Sequence, residues 1–237
     1  MRQDGRSADE LRPMTFERHF NDKRPGSVLV TCGSTKVLCT ASVEDGVPPW
    51  LSHSGKGWLT AEYSMLPGST DRRKAREGRT GKVDSRGLEI SRLIGRTMRM
   101  AVDLKRLKDK TVWLDCDVLQ ADGGTRTTAI NGAYVALHDA LAARGIEPWP
   151  ITTSIAAISV GIVKGQALLD LDYHEDSAAS VDLNVAMTGE GKFIELQGTG
   201  ESAPFDDAEL QEMLRLARLG IASVTSRQQM AFEGSGA

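Results

Sequence analysis

The segment Asp122–Thr127 (DGGTRT) combines the residue types that a phosphate-binding site needs. Glycines let backbone N–H groups approach an oxyanion closely, and a helix N-terminus adds unpaired N–H donors and a favourable dipole. Thr125 adds a hydroxyl, and Arg126 adds a planar cation that can form paired hydrogen bonds with phosphate oxygens. Gly123-Gly124 could instead be a turn that only starts a helix, but an arginine at this helix position favours a nearby anion. The segment matches neither GxGxxG nor the P-loop pattern, so a dinucleotide or P-loop nucleotide site is not indicated.

Arg86 is a second cation expected at a helix N-terminus, where the helix dipole disfavours a positive charge. Two arginines at two helix N-termini could hold one phosphate from two sides. The spacing of Arg86 and Arg126 alone does not show that the two side chains meet.

Residues 72–99 form a strongly basic segment in a chain whose formal net charge is −3. Within these 28 positions ten cationic residues stand against three acidic ones, a local net charge of +7. The cations are Arg72, Arg73, Lys74, Arg76, Arg79, Lys82, Arg86, Arg92, Arg96 and Arg99. Such a concentration fits contact with a phosphate backbone, because each neutralised phosphate releases condensed counterions. A solvated loop followed by a charged helix face is the alternative. Because the segment lacks aromatic residues, base stacking is not expected there.

The acidic run Asp170–Asp176 (DLDYHED), with Asp182 beyond it, is a candidate site for a divalent cation. Carboxylates that follow a strand can hold Mg²⁺ through one or two oxygens while a substrate phosphate completes the coordination shell. A solvated acidic turn is the alternative interpretation. His174 lies within the run, but neither a GxSxG motif nor a reactive-cysteine motif accompanies it, so a hydrolase relay has little support.

The size and composition are those of an ordinary globular protein, with 237 residues, 40% hydrophobic and 26% charged. The three cysteines, Cys32, Cys39 and Cys116, form no CxxC pair, so we expect reduced thiols in a cytosol and no zinc site. No apolar stretch follows the N-terminus, and no run approaches the roughly 18 apolar residues of a membrane span. We therefore expect a soluble, untargeted, cytoplasmic protein without a membrane partner.

Hydrophobic periodicity predicts the elements that would position these residues. Helices are expected from about Arg86, capped by Asp84 or Ser85, and from about Thr125 to Arg144. In the first part of the chain, strands are predicted at 27–32, 35–43, 58–66 and 111–120. Beyond Pro148 and Pro150, strands are predicted near 151–164, 167–170, 180–187 and 193–199, before a final helix over about 206–227.

Each half of the chain is thus predicted as a run of strands followed by a helix. This order indicates an α+β fold in which helices cover the sheets, with a diverged internal duplication as one origin. No close repeat of residues supports the duplication. We predict one domain over residues 1–237, with pseudo-halves of about 1–147 and 148–237.

Several longer motifs in this order resemble the bacterial ribonuclease PH family, and the likeness runs nearly end to end. They are Asp4–Arg6 with Asp9–Pro13, Gly55–Pro67 (GKGWLTAEYSMLP), Glu89–Arg96 (EISRLIGR), Asp115–Thr127 (DCDVLQADGGTRT), Glu175–Ser177, Val181–Asn184 and Met187–Gly189. The resemblance implies the ribosomal protein S5 domain 2-like fold, two pseudo-symmetric β/α halves with mixed sheets covered by helices. It implies a cytoplasmic homohexamer built as a trimer of dimers.

The resemblance also implies phosphorolysis of RNA. Inorganic phosphate attacks the last internucleotide bond of tRNA precursors and other RNAs, including rRNA, and releases a nucleoside diphosphate; the reverse reaction adds nucleotides. Phosphate would be bound by Arg86, Gly124, Thr125 and Arg126. Asp176 and Asp182 would bind Mg²⁺ or Mn²⁺ and act in catalysis with Arg86 and Arg126, although either aspartate could instead be a general acid. The RNA-binding residues would be Arg72, Arg73, Arg76, Arg79, Lys82, Arg92 and Arg96.

The sequence departs from the family pattern at a few positions, and three other functions stay open. Gly68 stands where a basic residue is common, and Asp84-Ser85 and Gly198–Ser202 also differ, but no candidate catalytic residue is lost. A hydrolytic exonuclease would release monophosphates without added phosphate. A non-catalytic subunit of an exosome-like ring would bind RNA without cutting it, and a partner-dependent phosphorolytic subunit would be inactive alone.

Overall fold

The computed structural model describes residues 2–76 and 84–234, and its first sheet has five strands in the order β1-β2-β3-β5-β4. The strands are β1 (Met14–Arg18), β2 (Gly26–Cys32), β3 (Thr35–Asp45), β4 (Trp58–Met65) and β5 (Lys110–Gln120). β4 pairs with β5 in parallel, whereas the other neighbours are antiparallel, so this sheet is mixed. β2 and β3 form a hairpin that turns between Cys32 and Thr35.

The second sheet has four strands in the order β7-β6-β8-β9 and is antiparallel throughout. Its strands are β6 (Ile155–Val163), β7 (Gln166–Leu169), β8 (Val181–Thr188) and β9 (Phe193–Gly200). β6 is almost completely buried, which explains its continuous apolar sequence, whereas β9 is largely exposed.

Helix α2 (Thr125–Arg144) lies between the two sheets and packs against β2, β3 and β6. Because sheets cover both of its sides, it is apolar nearly all round and buried over most of its length. The side chain of Asn131 pairs with the backbone of Ala157 in β6, accepting from its N–H at 2.7 Å and donating to its carbonyl at 2.8 Å. These bonds join the central helix to the second sheet.

Three further α-helices and one short 3-10 helix (Pro49–Leu51) complete the fold within the described residues; the α-helices are α1 (Ser85–Arg99), α3 (Tyr173–Ala178) and α4 (Asp207–Glu233). α1 packs on β4, and α4 packs on β6 and β7. One hydrophobic core joins residues of both sheets with α1, α2 and α4. Within the described ranges, no helix combines the length and apolarity that a bilayer crossing requires.

The predicted α+β organisation, with a mixed first sheet and helices covering the sheets, is confirmed. Asp84 is the predicted cap of α1, accepting a hydrogen bond from the N–H of Arg86 at 3.1 Å. β1 and α3 were not predicted from the sequence, and the strand expected from residue 151 begins at Ile155. The division of the chain near residue 148 stays a prediction.

Candidate active site

The backbone turn at Asp122–Gly124, which we call the phosphate loop, connects β5 to α2. Gly123 and Gly124 have φ values of 74° and 63°, a left-handed conformation that glycine adopts without steric cost. A Cβ atom on Gly123 would lie 2.6 Å from both the carbonyl oxygen of Leu171 and the carbonyl carbon of Asp172. The loop therefore lies directly against the chain that leads into α3, and only glycine fits there.

Replacing Gly123 with Ala is expected to destabilise the fold by several kcal/mol, because backbone atoms of Leu171 and Asp172 cannot move aside independently. Gly145→Ala is the matched control, since Gly145 also has a positive φ, 62°, but has open space around the Cβ position. The control should lose only about 1–2 kcal/mol from backbone strain. Urea unfolding of both variants measures the difference, and equal losses would contradict the close packing of the phosphate loop.

Arg86 and Arg126 line the same cleft, which has a volume of about 1510 Å³ and also contains the phosphate loop and Thr125. The guanidinium of Arg126 donates a hydrogen bond to Gln197 Oε1 at 2.6 Å and lies 3.6 Å from the carboxylate of Glu89. Gln197 in turn donates to Glu89 at 3.0 Å. Arg86 and Arg126, whose proximity could not be inferred from their spacing in the sequence, thus line one cavity. Gln197 and Glu89 fix the position of the Arg126 guanidinium.

The hydroxyl of Thr125 is oriented by Tyr63 of β4, whose own hydroxyl donates to it at 2.9 Å. Burial raises the pKa of Tyr63, although the hydrogen bond to Thr125 and the charges of Arg86 and Arg126 oppose this shift. Tyr63 therefore stays protonated and remains a donor. Because Thr125 accepts from Tyr63, its own hydroxyl proton is available to another acceptor in the cleft.

The structure separates the acidic run 170–176 into residues with different roles. Asp172 caps α3, and Glu175 completes the capping box and pairs with Arg2 at 2.7 Å. Asp170 is buried and accepts from Arg12. Asp176, one turn into α3, lines the cleft with Asp182 of β8. The predicted cation site thus retains two of its carboxylates, and the others stabilise the structure.

The pKa values of Asp176 and Asp182 are both raised inside the cleft. Burial raises the pKa of Asp182 to about 6, with the charge of Asp176 as the next cause, while Arg126 and a hydrogen bond from Asn184 oppose the shift. Asp176 is accessible from the cleft, but the surrounding protein atoms displace part of its water and thereby raise its pKa. The positive charges of Arg86 and Arg126 oppose this rise. Each carboxylate would be stabilised by a cation placed between them.

The two aspartates suit a divalent cation of the magnesium type. Asp182 Oδ1 is buried and has no hydrogen-bond partner among the described residues. A buried carboxylate oxygen needs either a hydrogen-bond donor or a metal ion as its partner. Nowhere in residues 2–76 and 84–234 do three or more His, Cys, Asp or Glu side chains form a metal-binding group. A two-carboxylate site fits Mg²⁺, which keeps several waters and shares its shell with substrate phosphates.

Of the predicted RNA-binding residues that the structure describes, one lines the cleft and the others lie outside its lining. Arg72 lines the cleft, together with Lys74, which the sequence analysis did not place among them. Arg73, Arg76 and Arg92 are exposed side chains that do not line it. Arg96 forms a two-point ion pair with Glu195 of β9 at 2.6 and 2.9 Å. Arg79 and Lys82 lie outside the described residues.

Four residues in or next to the cleft were not assigned a role from the sequence. Tyr63, Asn184, Gln197 and Glu201 contact or charge the predicted site. Tyr63 lies within an alternating strand, and Gln197 and Glu201 lie on or just after an exposed strand, so nothing local marks them as functional. Their side chains become relevant only because β4 and β9 flank the N-terminus of α2.

Both parts of the chain match models of known exoribonuclease domains. The model described as "3′ exoribonuclease family, domain 1" matches residues 10–142, and that described as "3′ exoribonuclease family, domain 2" matches residues 153–219. Ribonuclease PH from Bacillus subtilis (strain 168) is 56% identical over 234 residues, 97% of this chain and 96% of that protein. Ribonuclease PH from Halalkalibacterium halodurans is 54% identical over 236 residues, 98% and 92% of the two chains. The chain belongs to the ribonuclease PH family of 3′ exoribonucleases.

Solved structures with low sequence identity share the fold. Rice Rrp46 superposes with a TM-score of 0.79 at 18% identity, over 97% of this chain and 99% of that one. A chain of the Archaeoglobus fulgidus exosome with RNA bound to the active site superposes with a TM-score of 0.82 at 22% identity, over 95% and 92%. The resemblance stated from the motifs is thereby confirmed at the level of family and fold.

Proposed function

We propose that this chain is a phosphorolytic 3′→5′ exoribonuclease that trims the 3′ ends of RNA such as tRNA precursors. Inorganic phosphate attacks the last internucleotide bond, the 3′-oxygen of the shortened RNA leaves, and a nucleoside diphosphate is released. One observation carries the proposal: Arg86, Arg126 and the phosphate loop line the same cleft as Asp176 and Asp182. Family membership supports it independently.

The chemical difficulty is that both reactants are anions. At contact distance in a water-poor cleft, the repulsion between phosphate and the scissile diester would be severe. Arg86 and Arg126 offset the charge of the phosphate, and backbone N–H groups at the start of α2 orient it. Phosphate at neutral pH is already a competent nucleophile, so no general base is required. Phosphorolysis breaks the P–O3′ ester bond and forms a P–O–P anhydride bond without consuming water, so the reverse reaction adds nucleotides from diphosphates and releases phosphate.

Asp176 and Asp182 would hold Mg²⁺ or Mn²⁺. The bound ion supplies positive charge that neutralises the diester and the departing 3′-oxygen. Asp182 is ionised above about pH 6 and can then serve as a ligand, whereas its protonated form below this pH could donate a proton to the leaving oxygen. Because the raised pKa lies near 6, Asp182 could fill either role, and a pH profile of kcat distinguishes the two. A kcat that rises with pH near pH 6 indicates a metal ligand, and a kcat that falls indicates a general acid.

The exposed arginines beside the cleft are proposed to hold the RNA backbone. Replacing Arg72, Arg73 and Arg76 with Ala should weaken RNA binding and reduce the slope of log K against log salt by about two to three, because three phosphate contacts are lost. The matched control removes Lys23, Lys105 and Lys108, three exposed cations outside the cleft lining. Filter binding at several salt concentrations measures both slopes; an unchanged slope in the arginine variant would contradict the proposal that these arginines hold the RNA backbone.

The remaining family properties are proposals for this chain. We expect a cytoplasmic homohexamer arranged as a trimer of dimers. Large apolar side chains that are exposed in the single chain, including Trp50 at 65% and Leu196 at 47%, are candidates for burial between subunits. Analytical ultracentrifugation checks the hexamer.

The proposed activity is tested with a tRNA that carries a 3′ extension, incubated with the pure chain with and without inorganic phosphate. Phosphate-dependent shortening with nucleoside diphosphate products supports phosphorolysis. Monophosphate products without phosphate indicate a hydrolase, and bound but uncut RNA indicates a non-catalytic subunit.

A further inference from the structure

Thr35, the first residue of β3, is completely buried and contacts the backbone of the phosphate loop. Its hydroxyl donates a hydrogen bond to the carbonyl of Gly123 at 2.8 Å and accepts one from the N–H of Asp122 at 2.9 Å. Thr35 does not line the cleft, although its neighbour Ser34 does. One hydroxyl thus fixes two backbone groups of the loop without contacting the space that a substrate would occupy.

Arg12 holds the preceding peptide group. Its side chain is buried and donates to the carbonyl of Asp122. The same guanidinium pairs with the buried carboxylate of Asp170 at 2.7 and 3.0 Å. Burial lowers the pKa of Arg12, but the hydrogen bond and charge of Asp170 raise it overall, so Arg12 stays charged. Asp170 directly follows β7 and precedes the chain that enters α3, so Arg12 ties the loop to the element that carries Asp176.

These contacts determine where the loop's N–H groups point. In a trans peptide the carbonyl and the N–H of the next residue point in opposite directions. Because Thr35 binds the Gly123 carbonyl, the N–H of Gly124 faces away from Thr35. Because Arg12 binds the Asp122 carbonyl, the N–H of Gly123 faces away from Arg12. Two consecutive glycines can otherwise rotate these peptide groups freely and turn a carbonyl oxygen toward the anion.

We propose that Thr35 and Arg12 are positioning residues for phosphate, which keep the N–H groups of the phosphate loop directed at the nucleophile. The inference rests on the proposed phosphorolytic function and goes beyond it by naming residues that act through the backbone. Neither residue lines the cleft.

Thr35→Val removes the hydroxyl while keeping the shape of the side chain. We expect the KM for phosphate to rise about tenfold, since two hydrogen bonds to the loop are lost, while the KM for RNA stays unchanged. Thr35→Ser, which keeps the hydroxyl, should restore the KM for phosphate to within about twofold. Thr111→Val is the matched control: Thr111 is another buried threonine of the first sheet, whose hydroxyl donates to the carbonyl of Gly46 at 2.8 Å, away from the cleft. It should leave both KM values unchanged.

A second readout does not depend on turnover. Inorganic phosphate should raise the Tm of the wild-type chain, and the same phosphate concentration should raise that of Thr35→Val much less. Should Thr35→Val not fold, Arg12→Lys takes its place, because a lysine keeps the ion pair with Asp170 but cannot also reach the Asp122 carbonyl. An unchanged KM for phosphate in a folded variant overturns the positioning role alone. A wild-type chain that neither binds phosphate nor needs it for cleavage overturns the proposed function and the positioning role with it.

Discussion

Arg126→Ala should reduce kcat/KM for phosphorolysis by at least about a thousandfold, because the variant loses a cation that faces the charge formed in phosphoryl transfer. Arg126 lies at the start of α2 and lines the cleft, and its charge opposes the rise in pKa of both Asp176 and Asp182. These contacts place its charge at the centre of the site. RNA binding, which we propose depends mainly on Arg72, Arg73 and Arg76, should stay within about threefold of wild type.

Arg106→Ala is the control for Arg126→Ala, because Arg106 is exposed and does not line the cleft. Its activity should match wild type. The measurements are initial rates of nucleoside diphosphate release at several phosphate concentrations, together with RNA affinity by filter binding. Turnover retained in Arg126→Ala would contradict the assignment of the phosphate site, and a parallel loss of RNA affinity would indicate an RNA-binding role instead.

Asp182→Asn should abolish activity and at the same time stabilise the metal-free protein at neutral pH. The pKa of Asp182 is raised from 3.8 to about 6, chiefly by burial and then by Asp176, so its ionised form destabilises the fold. This cost is complete above about pH 6, fades as the pH falls and is absent below 3.8. The variant should therefore be about 3 kcal/mol more stable at pH 7.5 and gain about half as much at pH 5.

Urea unfolding in a chelator at pH 7.5 and pH 5 measures the effect of Asp182→Asn. Asp139→Asn is a control in which the expected change in the free energy of unfolding has the opposite sign. Burial raises the pKa of Asp139, but His138 and Arg18 lower it overall, so losing that carboxylate should destabilise the protein at neutral pH. Adding Mg²⁺ should raise the stability of the wild type at pH 7.5 but not that of Asp182→Asn. The assignment of Asp182 to a cation site would be contradicted if Asp182→Asn were less stable than the wild type and were still stabilised by Mg²⁺.

Local chemistry explains which parts of the site could be predicted from sequence. The phosphate loop, the N-terminus of α2 and the Asp84 cap of α1 depend on residues within a few positions of one another. The role of Asp170 could not be predicted, because its partner Arg12 is 158 residues away in the chain. Within the acidic run, the capping box formed by Asp172 and Glu175 is local, whereas the pairing of Glu175 with Arg2 and of Asp170 with Arg12 is long-range.

Short elements were harder to predict than long ones. β1 has only five residues with an ordinary mixed pattern, and α3 has only six, most of them polar. Neither shows enough periodicity to be distinguished from a loop.

The convergence of Arg86 and Arg126 also depends on tertiary structure, because α1 and α2 are brought together by the pairing of β4 with β5. Thr35 and Arg12 contact the phosphate loop from positions that no local motif connects to it.

A crystal structure of the chain with inorganic phosphate is the most direct test that Arg86, Arg126 and the phosphate loop share one nucleophile. One bound anion is predicted within about 3 Å of both guanidinium groups and of backbone N–H groups at the start of α2. The contrary result is phosphate density elsewhere on the chain, with the side chains of Arg86 and Arg126 directed into separate regions that hold no common anion.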